Sequence, residues 1–213
     1  MAATPPVLFP RVDGSALRSG ERQVAETLEG IDQKYHVERY VWADDQFDPD
    51  NGVWDIGCGC GYGSEVLDCV HYLGLDNSGE AISFAARHYG DMDTLFLETD
   101  VERGLPEGGL SRKVAIAFEI IEHVENSKAL LASIFRELAT PGLLLCSVPQ
   151  PRPHRYNADR HKFHVRDWTP QQITEAVRTA GFTTPELYSQ MDSGEIVKGL
   201  QPEVHTLLLK AFR

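Results

Sequence analysis

The sequence predicts an α/β fold of the doubly wound kind, a mostly parallel sheet with helices on both faces. Short apolar runs alternate with amphipathic segments from about residue 52 to residue 180, the pattern of a parallel sheet covered on two sides. The first run, Val53-Trp-Asp-Ile, passes directly into alternating glycines at 57, 59, 61 and 63. Such a turn lets backbone bend sharply and approach a ligand, because no Cβ stands in the way. Acids follow or close the runs at Asp55, Asp76, Asp100 and Glu119, which places carboxylates along one edge of the sheet.

In chain order, residues 1–20 hold three prolines with several Gly, Ser and Thr, and read as an irregular N-terminal arm. From Glu21 to about Asp45, Leu28, Ile31 and Tyr35 and then Val37, Tyr40 and Val41 recur at helical spacing. One helix, or two divided at Gly30, is expected. After the turn DPDNG (48–52), strands are expected at Gly52–Ile56, His71–Asp76, Thr94–Glu98, Val114–Phe118 and Leu143–Val148, with helices near Ser64–Cys69, Glu80–His88 and Ser127–Leu138. A helix from about Pro170 to Ala180 stops at Gly181 as a glycine C-cap should. Two strands, near Pro185–Ser189 and His205–Phe212, bring the sheet to seven. No linker interrupts this order, so residues 1–213 are expected to form one domain, with 149–168 as a loop on the substrate side.

The chain has 213 residues, 42% hydrophobic and 24% charged, with a formal charge of −12. This length can bury a core without staples, and the composition excludes disordered, collagen-like and disulfide-scaffold proteins. No apolar run nears the ~18 residues that cross a bilayer, and the N-terminus lacks a signal-peptide layout, so a cytoplasmic location is expected. The four cysteines show no zinc-ribbon spacing. The acidic charge argues against general nucleic-acid binding, which draws its affinity from Lys and Arg at phosphates. One segment departs from it: residues 152–167 carry Arg152, Arg155, Arg160, Lys162 and Arg166 against Asp159 and Asp167, a basic lip suited to a compact anion.

The glycine turn does not read as a dinucleotide site. Counting G-x-G-x-x-G from Gly57 puts Tyr62 in the sixth place, and counting from Gly59 ends on Ser64 while leaving Asp55 aimed where a pyrophosphate must sit. A cofactor without phosphate and with a positive group fits better. S-adenosylmethionine, with an ammonium and a sulfonium, is one.

The segment Asp55-Ile-Gly-Cys-Gly-Cys-Gly-Tyr-Gly63 resembles the first motif of the class I S-adenosylmethionine-dependent methyltransferases, and later segments fall in that family's order. The resemblance spans about Tyr35 to Gly181. It implies a Rossmann-like, seven-stranded, mostly parallel sheet with an antiparallel C-terminal strand, and an enzyme using S-adenosylmethionine. It implies that Asp55 anchors the amino-acid end, directly or through water, beside Gly57, Gly59, Gly61 and Tyr62. Asp76 with Asn77 would hold the ribose hydroxyls, Asp100 and Val101 the adenine, and Phe118 and Glu119 would stand beside the methionine moiety. Arg39, in His36-Val-Glu-Arg39-Tyr40, resembles a position on a helix that closes over the cofactor; pairing with the cofactor carboxylate and a structural role are both open.

At the reacting end the sequence offers Glu119-Ile-Ile-Glu122-His123 after the fourth strand and His161-Lys-Phe-His164 after the fifth. Both follow strands whose carboxyl ends face ligands in this fold. In one reading His123 or His164 is a general base that deprotonates an acceptor hydroxyl, with Glu122 named beside them as a further catalytic candidate. In another, Glu119, Glu122, His123 and His164 hold a divalent metal, with Mn²⁺ or Fe²⁺ suiting the donors better than Mg²⁺. That set resembles the site of enzymes that 2'-O-methylate small-RNA 3' ends. A structural role is the third reading, since F-E-x-I-E-H-V, here 118–124, also resembles bacterial ubiquinone-biosynthesis-like and sugar-pathway-associated methyltransferases. The expected function is O-methylation of a small polyol, sugar or nucleotide sugar, with an anionic acceptor in view of the basic lip. The alternatives are metal-assisted 2'-O-methylation of an RNA end and a cofactor-binding but inactive partner subunit.

Overall fold

The protein is described from a computed structural model, which covers residues 31–106, 112–150, 164–202 and 204–213. Strands are β1 Gly52–Ile56, β2 His71–Asp76, β3 Thr94–Glu98, β4 Val114–Phe118, β5 Leu143–Pro149, β6 Glu186–Gln190, β7 Ile196–Lys198 and β8 Thr206–Phe212. Helices are α1 Ile31–Asp44, α2 Gly79–Tyr89, α3 Ser127–Glu137 and α4 Pro170–Thr179.

Among the described residues the strands form one sheet in the order β3-β2-β1-β4-β5-β8-β6-β7. The first five are mutually parallel, and β8 enters antiparallel between β5 and β6. This is the Rossmann-like arrangement expected, with one strand more: β7 pairs antiparallel with β6. Three residues carry too little periodicity to announce a strand.

The period-2 alternation of β1 sorts its side chains between two cores. Trp54 and Ile56 join Leu130, Leu131 and Ile134 of α3 and Ile173 and Val177 of α4. Val53, on the opposite face, joins Tyr40 and Ala43 of α1 and Tyr89 of α2. Burial on both faces explains the unbroken apolar runs of β4 and β5.

Caps follow the sequence closely. Ser78, Asn126 and Thr169 each accept a backbone N–H at the start of α2, α3 and α4, and Thr169 with Gln172 forms a reciprocal capping box. The helix expected over Ser64–Cys69 is instead a single 3-10 turn, Tyr62–Glu65. The amides that would continue it are used elsewhere: Asp68 N–H donates to Asp44 Oδ1 at 2.7 Å and Val70 N–H to the Pro49 carbonyl at 3.0 Å. The expected arm over 1–20 and the possible break at Gly30 lie outside the described residues.

Candidate functional site

The carboxyl ends of β1 to β4 open on one side of the sheet, and β1 is the point where strand order reverses, with β2 on one flank and β4 on the other. Ligands bind at such a switch point because the loops leaving its strands diverge and leave a crevice. An open cleft with about 390 Å³ of empty space lies there, lined by Gly57, Asp76, Asn77, Asp100, Val101, Glu102, Ile120, His123 and Val124.

The glycine turn forms one wall. Gly57, Gly59 and Gly61 have φ of 79°, 55° and 83°, a left-handed conformation that L side chains rarely adopt. The N–H groups of Gly57 and Cys58 donate to the Leu75 carbonyl at 2.7 and 3.0 Å, which folds the turn over the end of β2. A Cβ on Gly61 would stand 2.6 Å from the Ala85 methyl, whereas one on Gly59 would meet nothing within 4 Å. Gly61 is therefore required by packing, and Gly59 borders open space in which a ligand can approach the backbone.

Asp76 ends β2 with its Oδ2 accepting from Gly59 N–H at 3.1 Å and its Oδ1 from Ser78 N–H at 2.9 Å. It thus ties the glycine turn to the start of α2 while facing the cleft. Asp100 is half exposed, with Oδ1 accepting from Glu102 N–H and Oδ2 beside Arg103 Nε at 3.2 Å; Val101 beside it is buried.

Asp55 is sealed. It is 1% exposed, and its Oδ2 accepts from Tyr40 Oη at 2.9 Å and Tyr72 Oη at 2.5 Å. Burial raises its pKa to about 6, while the two tyrosine hydrogen bonds pull the other way. Its Oδ1 is buried with no hydrogen-bond partner among the described residues. A lone acceptor buried beside a glycine turn fits the ammonium of an amino-acid end, or a water that carries it, since an unmatched buried acceptor is costly.

Other candidates sit differently. Tyr62 is buried edge-on against Tyr40, and Phe118 packs on Tyr40 and Trp42, with ring centroids 5.4 and 6.5 Å away. Neither these two nor Asp55 is among the residues lining the cleft. Arg39 is 1% exposed and braces the fold: Nε donates to Gln190 Oε1 at 2.8 Å and Nη2 to Thr206 Oγ1 at 3.2 Å, with Nη1 3.8 Å from Glu119 Oε1.

Glu119 follows β4 with φ of 51°. Its N–H donates to Ser147 Oγ at 3.1 Å and its Oε1 accepts from that hydroxyl at 2.8 Å. The four-residue metal set is therefore not assembled: ligand atoms of Glu122, His123 and His164 lie within 4.8 Å of one another, and Glu119 is outside that group. Its carboxylate is committed to Ser147 and Arg39 instead.

The remaining three meet for a backbone reason. The N–H groups of Val165 and Arg166 donate to the Glu122 carbonyl at 2.9 and 3.2 Å, which pins the segment after β5 onto the turn after β4. Glu122 is buried, His123 Nε2 lies 3.9 Å from Glu122 Oε1, and the rings of His123 and His164 cross at 83° with centroids 4.9 Å apart. His164 Nδ1 is 3.7 Å from Asp167 Oδ1. His161, with Arg152, Arg155, Arg160 and Lys162 of the basic lip, lies outside the described residues; Arg166 stacks over Trp168 at 5.0 Å.

Sequence reasoning missed Tyr40 and Tyr72 as partners of Asp55. It also missed Ser147 as a partner of Glu119, and Glu102, which lines the cleft while accepting from the N–H groups of Glu125 and Asn126 at 2.7 and 3.3 Å. The Tyr72 contact depends on strand register, in which Asp55 pairs with Gly74, and register is not written in a local motif.

A family model described as methyltransferase domain matches residues 25–187. A protein of Mycolicibacterium smegmatis named a probable S-adenosylmethionine-dependent methyltransferase is 28% identical over 134 residues, covering 61% of this chain and 51% of that protein. A protein of Mycobacterium tuberculosis bearing the same name is 26% identical, covering 61% and 48%. The chain thus spans about half the length of the curated relatives it matches. Among solved structures, a Thermotoga maritima protein described as a SAM-dependent methyltransferase, possible histamine N-methyltransferase, superposes with a TM-score of 0.68 at 17% identity, covering 84% of this chain and 89% of that one. The [4+2]-cyclase SpnF shares the fold at a TM-score of 0.66 and 16% identity, covering 87% and 84%. These structural likenesses show the fold alone; the family match covers most of the chain, and by it the chain belongs to the methyltransferase domain family.

Proposed function

We propose that this protein transfers a methyl group from S-adenosylmethionine to a hydroxyl of a small polyol, sugar or nucleotide-sugar acceptor. The observation that carries the reading is one cleft wall shared by Asp76, Asn77, Asp100 and Val101 with His123, which sets residues suited to an adenosine beside an imidazole suited to a proton. When bound, the cofactor supplies an electrophilic methyl on a sulfonium.

The chain's own residues have three tasks. Asp76 accepts from ribose hydroxyls, and the backbone beside Val101 with the Asp100 carboxylate receives the adenine. The open face of Gly59 and Oδ1 of Asp55, which has no hydrogen-bond partner among the described residues, receive the amino-acid end. His123, a quarter exposed in its side chain, takes the acceptor proton, with Glu122 and His164 orienting its ring. Holding donor and acceptor in line accounts for the larger part of the acceleration, up to ~7–11 kcal/mol, and a positioned base adds ~10²–10⁴-fold. The test is transfer of labelled methyl to fractionated metabolites and RNA, with wild type set against His123→Ala. Label in a small hydroxylated metabolite, lost in the variant, supports the reading; label confined to RNA or protein overturns it.

A second reading rests on the convergence of Glu122, His123 and His164. One carboxylate and two imidazoles form a donor set suited to Mn²⁺ or Fe²⁺, which would hold adjacent hydroxyls such as those of an RNA 3' end. Under that reading turnover disappears with EDTA, returns with Mn²⁺, and His164→Ala abolishes the return; turnover indifferent to EDTA removes it.

A further inference from the structure

Helix α3 is capped in part by a residue from a different segment of the chain. Asn126 is its N-cap, with Oδ1 accepting from Ala129 N–H at 3.2 Å. In a closed capping box the side chain of that third helical residue returns to the N-cap N–H, as Gln172 does to Thr169 in α4. Ala129 has no group to return. Glu102 supplies it instead, with Oε2 accepting from Asn126 N–H at 3.3 Å and Oε1 from Glu125 N–H at 2.7 Å. It stands in the 3-10 turn Val101–Arg103 that follows β3.

Glu102 therefore spans the two walls of the cleft. One wall is Asp100, Val101 and Glu102 itself, and the other is Ile120, His123 and Val124. Asp100 Oδ1 accepts from Glu102 N–H at 3.1 Å, so the contacts are continuous from the acid proposed for the adenine, through Glu102, to the amides just past His123. Away from the cleft, Leu105 N–H joins the same two segments by donating to Ser133 Oγ at 3.0 Å. The other end of the His123 turn is fixed by backbone, since Val165 and Arg166 donate to the Glu122 carbonyl. At the cleft, one exposed side chain holds the near end.

We propose that Glu102 is a positioning residue that straps the adenine wall to the turn bearing His123, so that an adenosine seated in the cleft and the strap strengthen each other. Both walls border the ligand space, and a ligand between them favours the state in which their separation is fixed and both Glu102 oxygens are engaged. Coupling of this kind is reciprocal: whatever the strap adds to ligand affinity, the ligand adds to the strap. A simple cap would stabilise α3 equally with and without ligand. An acid suits the task, because a carboxylate accepts both N–H groups at once and brings its charge to the positive end of α3. An amide offers a single acceptor oxygen. The proposal rests on the cofactor reading above and extends it: filling the adenosine end of the site sets the imidazole at the reacting end.

The experiment combines calorimetry with residue-resolved amide exchange of the full chain, using S-adenosylhomocysteine and 5'-methylthioadenosine, which carries the adenosine without the amino-acid end. The proteins are wild type, Glu102→Ala, Glu102→Gln, and Glu102→Ala combined with Ala129→Glu. Ala129 is exposed, so the double variant closes the capping box within α3 and restores the cap without the strap. In wild type either ligand should slow exchange at Glu125 and Asn126 about tenfold. Glu102→Ala should bind both ligands about tenfold more weakly and lose that slowing, with Glu102→Gln in between. The double variant should regain the urea midpoint of wild type but neither the affinity nor the slowing. Wild-type affinity in Glu102→Ala, recovery of affinity in the double variant, or a loss confined to S-adenosylhomocysteine overturns the proposal while leaving the cofactor reading intact. Absence of binding of both ligands by wild type defeats both.

Discussion

The carboxylate of Asp76 accepts the N–H of Gly59 at 3.1 Å, so the acid that faces the cleft also holds the turn that borders it. This bond orients a glycine whose missing side chain would occupy open space. Gly59→Ala should therefore leave the fold largely intact, at a cost of about 1–2 kcal/mol for an L residue in the left-handed region, while lowering affinity for S-adenosylhomocysteine at least tenfold. Gly61→Ala, whose methyl would meet Ala85 and Phe96 at under 3 Å, should destabilise the protein more strongly. Urea unfolding of both variants beside calorimetry of the first checks the contrast.

Asp55 gives a stability prediction with a definite sign. Its pKa rises from 3.8 when unfolded to about 6 when folded, so between pH 4 and pH 6 the native state keeps a proton that the unfolded state has given up. Stability from this group is fully present below pH 4 and lost as pH rises through 6, on the order of 3 kcal/mol in all. Asp55→Asn should flatten that part of the profile and raise ligand-free stability at pH 7, while weakening cofactor binding. Urea midpoints from pH 4 to pH 7 read this directly; a variant less stable than wild type at pH 7 would contradict it.

Arg39 joins α1 to β6, β8 and the end of β4. Truncation to Ala would leave Gln190 and Thr206, both buried, short of a donor, and should cost about 3–5 kcal/mol. Lys should recover only part of this, because an ammonium cannot reproduce the guanidinium fork. Amide exchange in α1 should accelerate in Arg39→Ala beyond the change in global stability, as expected where one side chain pins the helix.

For the reacting end, His123→Ala should reduce methyl transfer by about 10²–10⁴-fold, with affinity for S-adenosylhomocysteine changed far less. Glu122→Gln should preserve the fold and lower turnover less than loss of the imidazole. Parallel losses of turnover and ligand affinity in His123→Ala would mean that the ring serves binding and not proton transfer.

Much of this was legible in the residues. The alternation of apolar runs with amphipathic helices set out β1 to β5, and the acids after the strands marked Asp76 and Asp100, because both signals are local. The departures are non-local. Ser64–Cys69 fails as a helix because Asp44 takes the Asp68 amide and Pro49 that of Val70 just beyond it. Glu119 leaves the group of Glu122, His123 and His164 because Ser147, on the neighbouring strand, holds its carboxylate. Asp55 was legible as an acid before glycines, but not as a sealed one, since Tyr40 and Tyr72 arrive from another helix and another strand.

The central claim is that this cleft binds S-adenosylmethionine with Asp76 on the ribose. Its most direct test is titration of wild type and Asp76→Ala with S-adenosylhomocysteine at pH 7. Saturable one-to-one binding, weakened about 10–100-fold by the substitution as expected for loss of charge-assisted hydrogen bonds, is the predicted result. No binding by wild type, or an affinity that Asp76→Ala leaves unchanged, would contradict the account.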